Sequence, residues 1–306
     1  MKKIGMVAVL SALTFACAST LVAGEKIKIG MTVLDISNPF FVALTNSVKA
    51  EAEAGGVELL INDSKNKADI QVTAMENFIS ADCKAIIVTA VDPESVASVV
   101  ERARAEGIKV IAHTTKLKEY DGWVAAGEYD MGMTLGLQAG EWAKNNLKEP
   151  IELGLLNFDL IPQCIERKHG IVDGVRKFVP DAKVVGDAFA GEPPAGMAAA
   201  ENFLQANPGL NMICGINDGG ALGAYEAVMA AGKGGPGFFV GGIDAVPEAI
   251  VKIKEGGIYR ATVDVDPTLQ GKKCFEFAMK AIRGEPFEKD YYAELTPVNA
   301  SNIGTY

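Results

Sequence analysis

Short apolar runs in this chain end in residues able to hold a small polar molecule. "IKIGMTVL" is followed by Asp35, Ser37, Asn38, Phe40 and Phe41, "AIIV" by Thr89, and "IKVIA" by His113, Thr114 and Thr115. In the second half the same positions carry Asn157, Phe158, Asp159, Gln163 and Cys164, then Phe189 and Glu192. Asn217 with Asp218, Asp244, and Asp264 with Asp266 complete the set. Amides, hydroxyls and carboxylates suit the hydroxyl groups of a ligand, and ring faces suit its C–H faces. Taken singly, each residue has a plainer reading: Asn217 and Asp218 can cap the helix that follows, Asp244 can cap "VPEAIVKI", and Thr89 and Thr114 can satisfy nearby backbone. Their recurrence behind successive apolar runs favours a shared ligand.

Catalysis finds no comparable constellation. The chain has two histidines, His113 and His169, and His169 lies in the helical stretch "IERKHGIVDGV". No G-x-S-x-G elbow, P-loop or G-x-G-x-x-G behind the first apolar run occurs. "GKGGPG" ends a helix and precedes a strand, the wrong order for a phosphate cradle. Without clustered His and Cys no metal site is indicated. Neither an enzyme nor a cofactor is expected.

The elements that position these residues alternate. Strands are expected at 27–34, 57–61, 84–90, 108–113, 151–156, 182–188, 210–216, 237–243 and 258–264. Between them stand amphipathic segments such as "PESVASVVERARAEG", opened by Pro and closed by Gly. A β-α repeat with apolar strands implies α/β architecture, with parallel sheets covered by helices on both faces. The rhythm resets at "AAGEYDMG", residues 125–132, which implies two doubly wound sheets rather than one. Ligands of such sheets sit outside the carboxyl ends of the strands. "NPFF" raises its own question: Asn38 and Pro39 start a helix, but adjacent rings diverge by about 100°, so Phe40 and Phe41 cannot both face one core.

Composition narrows the setting. The 306 residues allow two domains, and 49% hydrophobic with 22% charged residues is ordinary for a globular chain. The excess of 39 acidic over 29 basic residues argues against a nucleic-acid partner. Lys2 and Lys3 precede an uncharged stretch, Ile4 to Gly24, that reads as a secretory signal. Its small terminal residues favour cleavage after Ala23 or Gly24 over an uncleaved anchor, and Thr14 ahead of Cys17 is a poor match for lipid attachment. A periplasmic location follows. Cys83, Cys164, Cys214 and Cys274 then remain, spaced like neither a disulfide scaffold nor a zinc set; buried thiols are the default, and one long-range disulfide stays open.

The combination of "NPFF", "GINDGGALGAYEAV", "VGGIDAVPEAI" and "ATVDVDPTLQG", in that order, resembles the periplasmic sugar-binding proteins of the ribose-binding type. The resemblance covers residues 25–306. It implies a type I periplasmic-binding-protein fold of two lobes joined by three crossovers near 127, 265 and 293. The lobes would be 25–127 with 266–293, and 128–265 with 294–306, behind a signal peptide at 1–24. It further implies a monomer that delivers its ligand to an ABC transporter permease, or presents it to a chemoreceptor or sensor. Ligand contacts are implied for Asn38, Phe40, Phe41, Thr89, Asn217 and Asp244; Thr114 and Phe189 join them from their strand-end positions. The pattern departs at Thr114-Thr115, where the ribose type has Asp-Arg, at Ile165 in place of Arg, and at Val265 in place of Gln. A cleft without those charged grips is expected to hold a small neutral hydroxylated ligand other than ribose, such as a deoxy sugar or polyol.

Overall fold

The computed structural model describes residues 26–148 and 150–306, so the proposed signal segment 1–24 lies outside the described residues. The chain begins β1 (Lys28–Val33), α1 (Pro39–Ala54), β2 (Glu58–Asp63), α2 (Ala68–Ser80), β3 (Ala85–Val88), α3 (Pro93–Ala105), β4 (Lys109–His113) and β5 (Gly122–Ala125). It continues α4 (Glu128–Asn146), β6 (Glu152–Asn157), α5 (Pro162–Phe178), β7 (Lys183–Phe189), α6 (Pro193–Ala206), β8 (Met212–Gly215), α7 (Asp218–Ala230) and β9 (Phe239–Gly241). Last come α8 (Pro247–Glu255), β10 (Tyr259–Asp264), α9 (Pro267–Arg283), β11 (Asp290–Tyr292) and β12 (Thr296–Asn299).

Two six-stranded sheets result, ordered β11-β5-β4-β3-β1-β2 and β12-β10-β9-β8-β6-β7. The first is parallel throughout, and in the second only β12 runs antiparallel, against β10. Burial follows the pleat. Ala85 and Ile87 pack with α1 and α9 on one face, while Ile86 and Val88 pack with α2 and α3 on the other. Both faces are therefore apolar, as expected for strands that helices cover twice.

The chain passes between the sheets three times. After β5 it enters α4, whose Gln138 side chain donates to the carbonyl of Thr262 in the second sheet. After β10 it enters α9, which packs in the first lobe's core, and after β11 it returns to β12. Asp266 caps α9 by accepting from Leu269 N, and Pro267 stands at the first helical position.

One packing contact bears directly on the cleft. Helices α4 and α5 nearly touch because glycines face each other: a Cβ at Gly132 would lie 1.8 Å from the Arg167 carbonyl oxygen, and one at Gly170 2.2 Å from that of Tyr129. This approach sets the first turn of α4, with Glu128, against the Arg167 side chain. Among the described residues all four cysteines, Cys83, Cys164, Cys214 and Cys274, are buried free thiols, and the long-range disulfide left open above does not form between them.

Candidate ligand-binding site

A cavity of about 790 Å³, counting its open mouth, lies between the carboxyl edges of the two sheets. Asn38, Phe40, Phe41, Thr89 and Thr114 line it from one lobe and Asn217 and Asp244 from the other. Each stands where a strand gives way to a helix or loop. The edge is also where the backbone is strained. Thr114 has φ 59°, Asp244 φ 120° and Ala245 φ 52°, left-handed values rare outside glycine. Such conformations cost on the order of 1–3 kcal/mol each and concentrate at functional sites.

The capping readings hold in part. Asn38 accepts from Phe40 N at 2.9 Å and Asn217 accepts from Gly220 N at 3.0 Å, so both cap helices while lining the cavity. Asp244 does not cap; α8 starts from Val246. "NPFF" resolves as the helical geometry requires. Phe41 is buried in the first lobe's core, whereas Phe40 packs against the cores of both lobes and stacks on His113 with ring centroids 5.9 Å apart.

Phe189 is placed differently. It ends β7, an edge strand, and is 49% exposed; its ring packs on Phe158, centroids 4.5 Å apart, and it is Phe158 that reaches the cavity. The expectation of a cleft without a basic residue is corrected. Arg167 lines it, because the buried face of α5 recurs at Cys164, Arg167 and Gly170, and Ile165 points elsewhere. Its Nε donates to Glu128 Oε2 at 2.7 Å and its Nη1 to the Ile216 carbonyl at 2.8 Å, while Nη2 lies 2.7 Å from the same Glu128 oxygen. The missing Gln has a similar answer: Val265 lines the cavity, and Gln270, one turn into α9, does so as well. The sequence carries a partial signal for Arg167, three residues after the strand-end candidate Cys164, and none for Gln270, five residues after Val265.

Electrostatically the cavity is acidic. Asp35, Glu128, Glu192 and Asp244 face a single Arg167. Asp244 is 5% exposed and has no side-chain hydrogen bond among the described residues. Burial, with Asp218 adding to it and Arg167 opposing, raises its carboxyl well above the ordinary range. Glu192 is pushed up to about 7 by burial and by Asp35 on the facing lobe, Ser37 pulling the other way, and its Oε2 is buried without a partner. His113 is held down to about 4 by burial, against the pull of Gln270.

The Glu192 shift has a measurable sign. A carboxyl whose folded value exceeds its unfolded value of about 4.3 binds protons better when folded, so its contribution to stability is largest below that value and is lost as pH rises through about 7. The ligand-free melting temperature should therefore fall between pH 5 and pH 8, and Glu192→Gln should flatten that slope. Equal slopes for the two proteins by calorimetry would remove Glu192 from the account.

The profile of the periplasmic binding protein domain matches residues 29–286. The ribose import binding protein RbsB of Bacillus subtilis is 27% identical over 89% of this chain and 87% of its own. Two solved ABC transporter solute-binding proteins superpose closely. One from Mycobacterium smegmatis with bound glycerol has a TM-score of 0.84 at 26% identity, covering 92% of this chain and 96% of that one. One from Bacillus halodurans with bound myo-inositol has a TM-score of 0.81 at 28% identity, covering 92% and 98%. With two mostly parallel α/β lobes, a cavity between them and a profile match across most of its length, the chain belongs to the periplasmic binding protein family, whose members bind solutes rather than transform them.

Proposed function

We propose that this protein is exported to the periplasm, captures a small neutral hydroxylated solute between its lobes, and delivers it to an ABC importer. The observation that carries this is the cavity lining. Phe40 from one lobe and Phe158 from the other offer ring faces, while Asn38, Thr89, Thr114, Asn217 and Asp244 offer hydrogen-bonding groups between them. Rings and amides around one small space suit a polyol or sugar. The ligands named for the similar proteins, ribose, glycerol and myo-inositol, are all neutral and hydroxylated. An anion is disfavoured, because Arg167, the one cation among the described cavity-lining residues, already holds Glu128. Residues 25–127 with 266–293, and 128–265 with 294–306, would close on the ligand as two bodies about the three crossovers.

Mass spectrometry of small molecules released from denatured protein, followed by calorimetry, tests this. Pentoses, hexoses, deoxy sugars, polyols, amino acids and sugar phosphates make up the panel. A neutral sugar or polyol should bind at micromolar concentration or tighter, and ribose more weakly, because Thr114 and Thr115 replace a charged pair and all three nitrogens of Arg167 already bond to Glu128 or Ile216. Tight binding of a sugar phosphate, or of no hydroxylated compound at all, would overturn the reading.

A further inference from the structure

We propose that Gln270 and His113 hold Thr89 as a hydrogen-bond acceptor toward the cavity, so that the ligand must bring a hydroxyl donor to that point. The proposal rests on the reading of the cavity as a site for hydroxylated solutes. The chain of reasoning starts at the second crossover. The amide Nε2 of Gln270 donates to the Val265 carbonyl at 2.6 Å. A carbonyl only accepts, so the NH₂ end of the amide is the end that faces it, and Oε1 is the end that faces His113. That oxygen lies 3.0 Å from His113 Nε2. Because Oε1 can only accept, Nε2 carries the hydrogen.

The ring is fully buried, which keeps it neutral. Among the described residues no titratable side chain bonds to it: its partners are Thr89, Thr114 and Gln270, with Phe40 stacked on its face. A neutral imidazole with hydrogen on Nε2 has a bare lone pair on Nδ1. The Thr89 hydroxyl lies 2.8 Å from that nitrogen, a normal donor distance, and the Thr114 hydroxyl lies at 3.3 Å, which is long for an O–H donor. Thr89 is therefore the donor. A hydroxyl has one hydrogen, so Thr89 Oγ1 keeps only lone pairs for other partners. It makes no second side-chain hydrogen bond among the described residues, and Thr89 lines the cavity. The polarity of this point is thus dictated from Val265 and Gln270, at the passage between the lobes, through His113 and Thr89.

Two measurements test it, and the first needs no ligand. His113 and His169 are the only histidines in the chain, so histidine ring ¹⁵N NMR yields two resolvable sets of signals. The buried ring should show a protonated Nε2 and an unprotonated Nδ1 from pH 8 down to pH 5, and Gln270→Leu should mix the tautomers. An Nδ1-protonated ring in the wild type, or no change on Gln270→Leu, overturns the relay. The second measurement compares myo-inositol with its monodeoxy derivatives on wild type and Thr89→Val by calorimetry. At one ring position, loss of the hydroxyl should weaken wild-type binding roughly tenfold and leave Thr89→Val unaffected. If every deoxygenation costs the two proteins alike, Thr89 does not read the ligand. If the tautomer is as stated but neither a polyol nor a sugar of the panel binds the wild type, the hydroxylated-ligand reading fails and the relay stands on the NMR result.

Discussion

Arg167→Met is expected to lower the unfolding free energy of the ligand-free protein by about 3–5 kcal/mol, the range for removing one partner of a buried ion pair. The guanidinium engages Glu128 through Nε and Nη2 and the Ile216 carbonyl through Nη1, and the two charged side chains are only 11% and 12% accessible. Truncation leaves a buried carboxylate whose other oxygen, Oε1, already has no partner, and it strips Ile216 of its donor. It also removes the one positive charge that opposes the raised Asp244 carboxyl. Glu128→Leu combined with Arg167→Met should recover most of the loss, because an apolar pair of similar volume avoids the desolvation of both charges. Urea denaturation of the four proteins in a double-mutant cycle measures this. A single-mutant loss below about 1 kcal/mol would show that the pair is solvated and that the α4–α5 approach does not depend on it.

What the sequence made legible follows from the physics of each element. Strands β1, β3, β4, β6 and β8 are predominantly apolar and buried on both faces or nearly so, and short-range pattern alone marks them. Strands β5, β11 and β12 escape that pattern. β5, "GWVA", lacks the aliphatic run of "AIIV" in β3, and "DYY" and "TPVN" carry neither the length nor the apolar run that periodicity needs. β11 and β12 are strands because the chain crossing between lobes lays them beside β5 and β10, and β5 because it pairs with β4, all tertiary causes. The site divides the same way. Asn38, Thr89, Thr114, Asn217 and Asp244 were visible because a strand end is a local feature. Glu128, Arg167 and Gln270 sit on helices α4, α5 and α9, and what turns them inward is the packing of those helices: the glycine contact at Gly132 and Gly170 for the ion pair, and the docking of α9 for Gln270. No spacing rule within one element reports that.

Asp244→Asn should move stability and affinity in opposite directions. The carboxyl is buried, unpartnered among the described residues, near Asp218, and carried on a backbone with φ 120°. The ionised form is penalised in the empty cavity, and as pH falls below the raised folded value that penalty disappears with the charge. An amide removes the ionisation altogether, and Asn tolerates positive φ as well as Asp does. The ligand-free variant should therefore melt above the wild type at pH 8, with the difference shrinking toward pH 5. Ligand affinity should fall by on the order of 1–3 kcal/mol, or about 5- to 150-fold, because a carboxylate accepts hydroxyl hydrogens more strongly than an amide oxygen and can take two of them. Scanning calorimetry at the two pH values, with titration of whichever neutral solute the released-ligand analysis identifies, checks both halves. A residue kept for packing or capping would behave differently: the variant would lose ligand-free stability at every pH, and affinity would change little. Wild-type affinity in Asp244→Asn would remove this carboxylate from the binding account, whatever happened to the melting temperature.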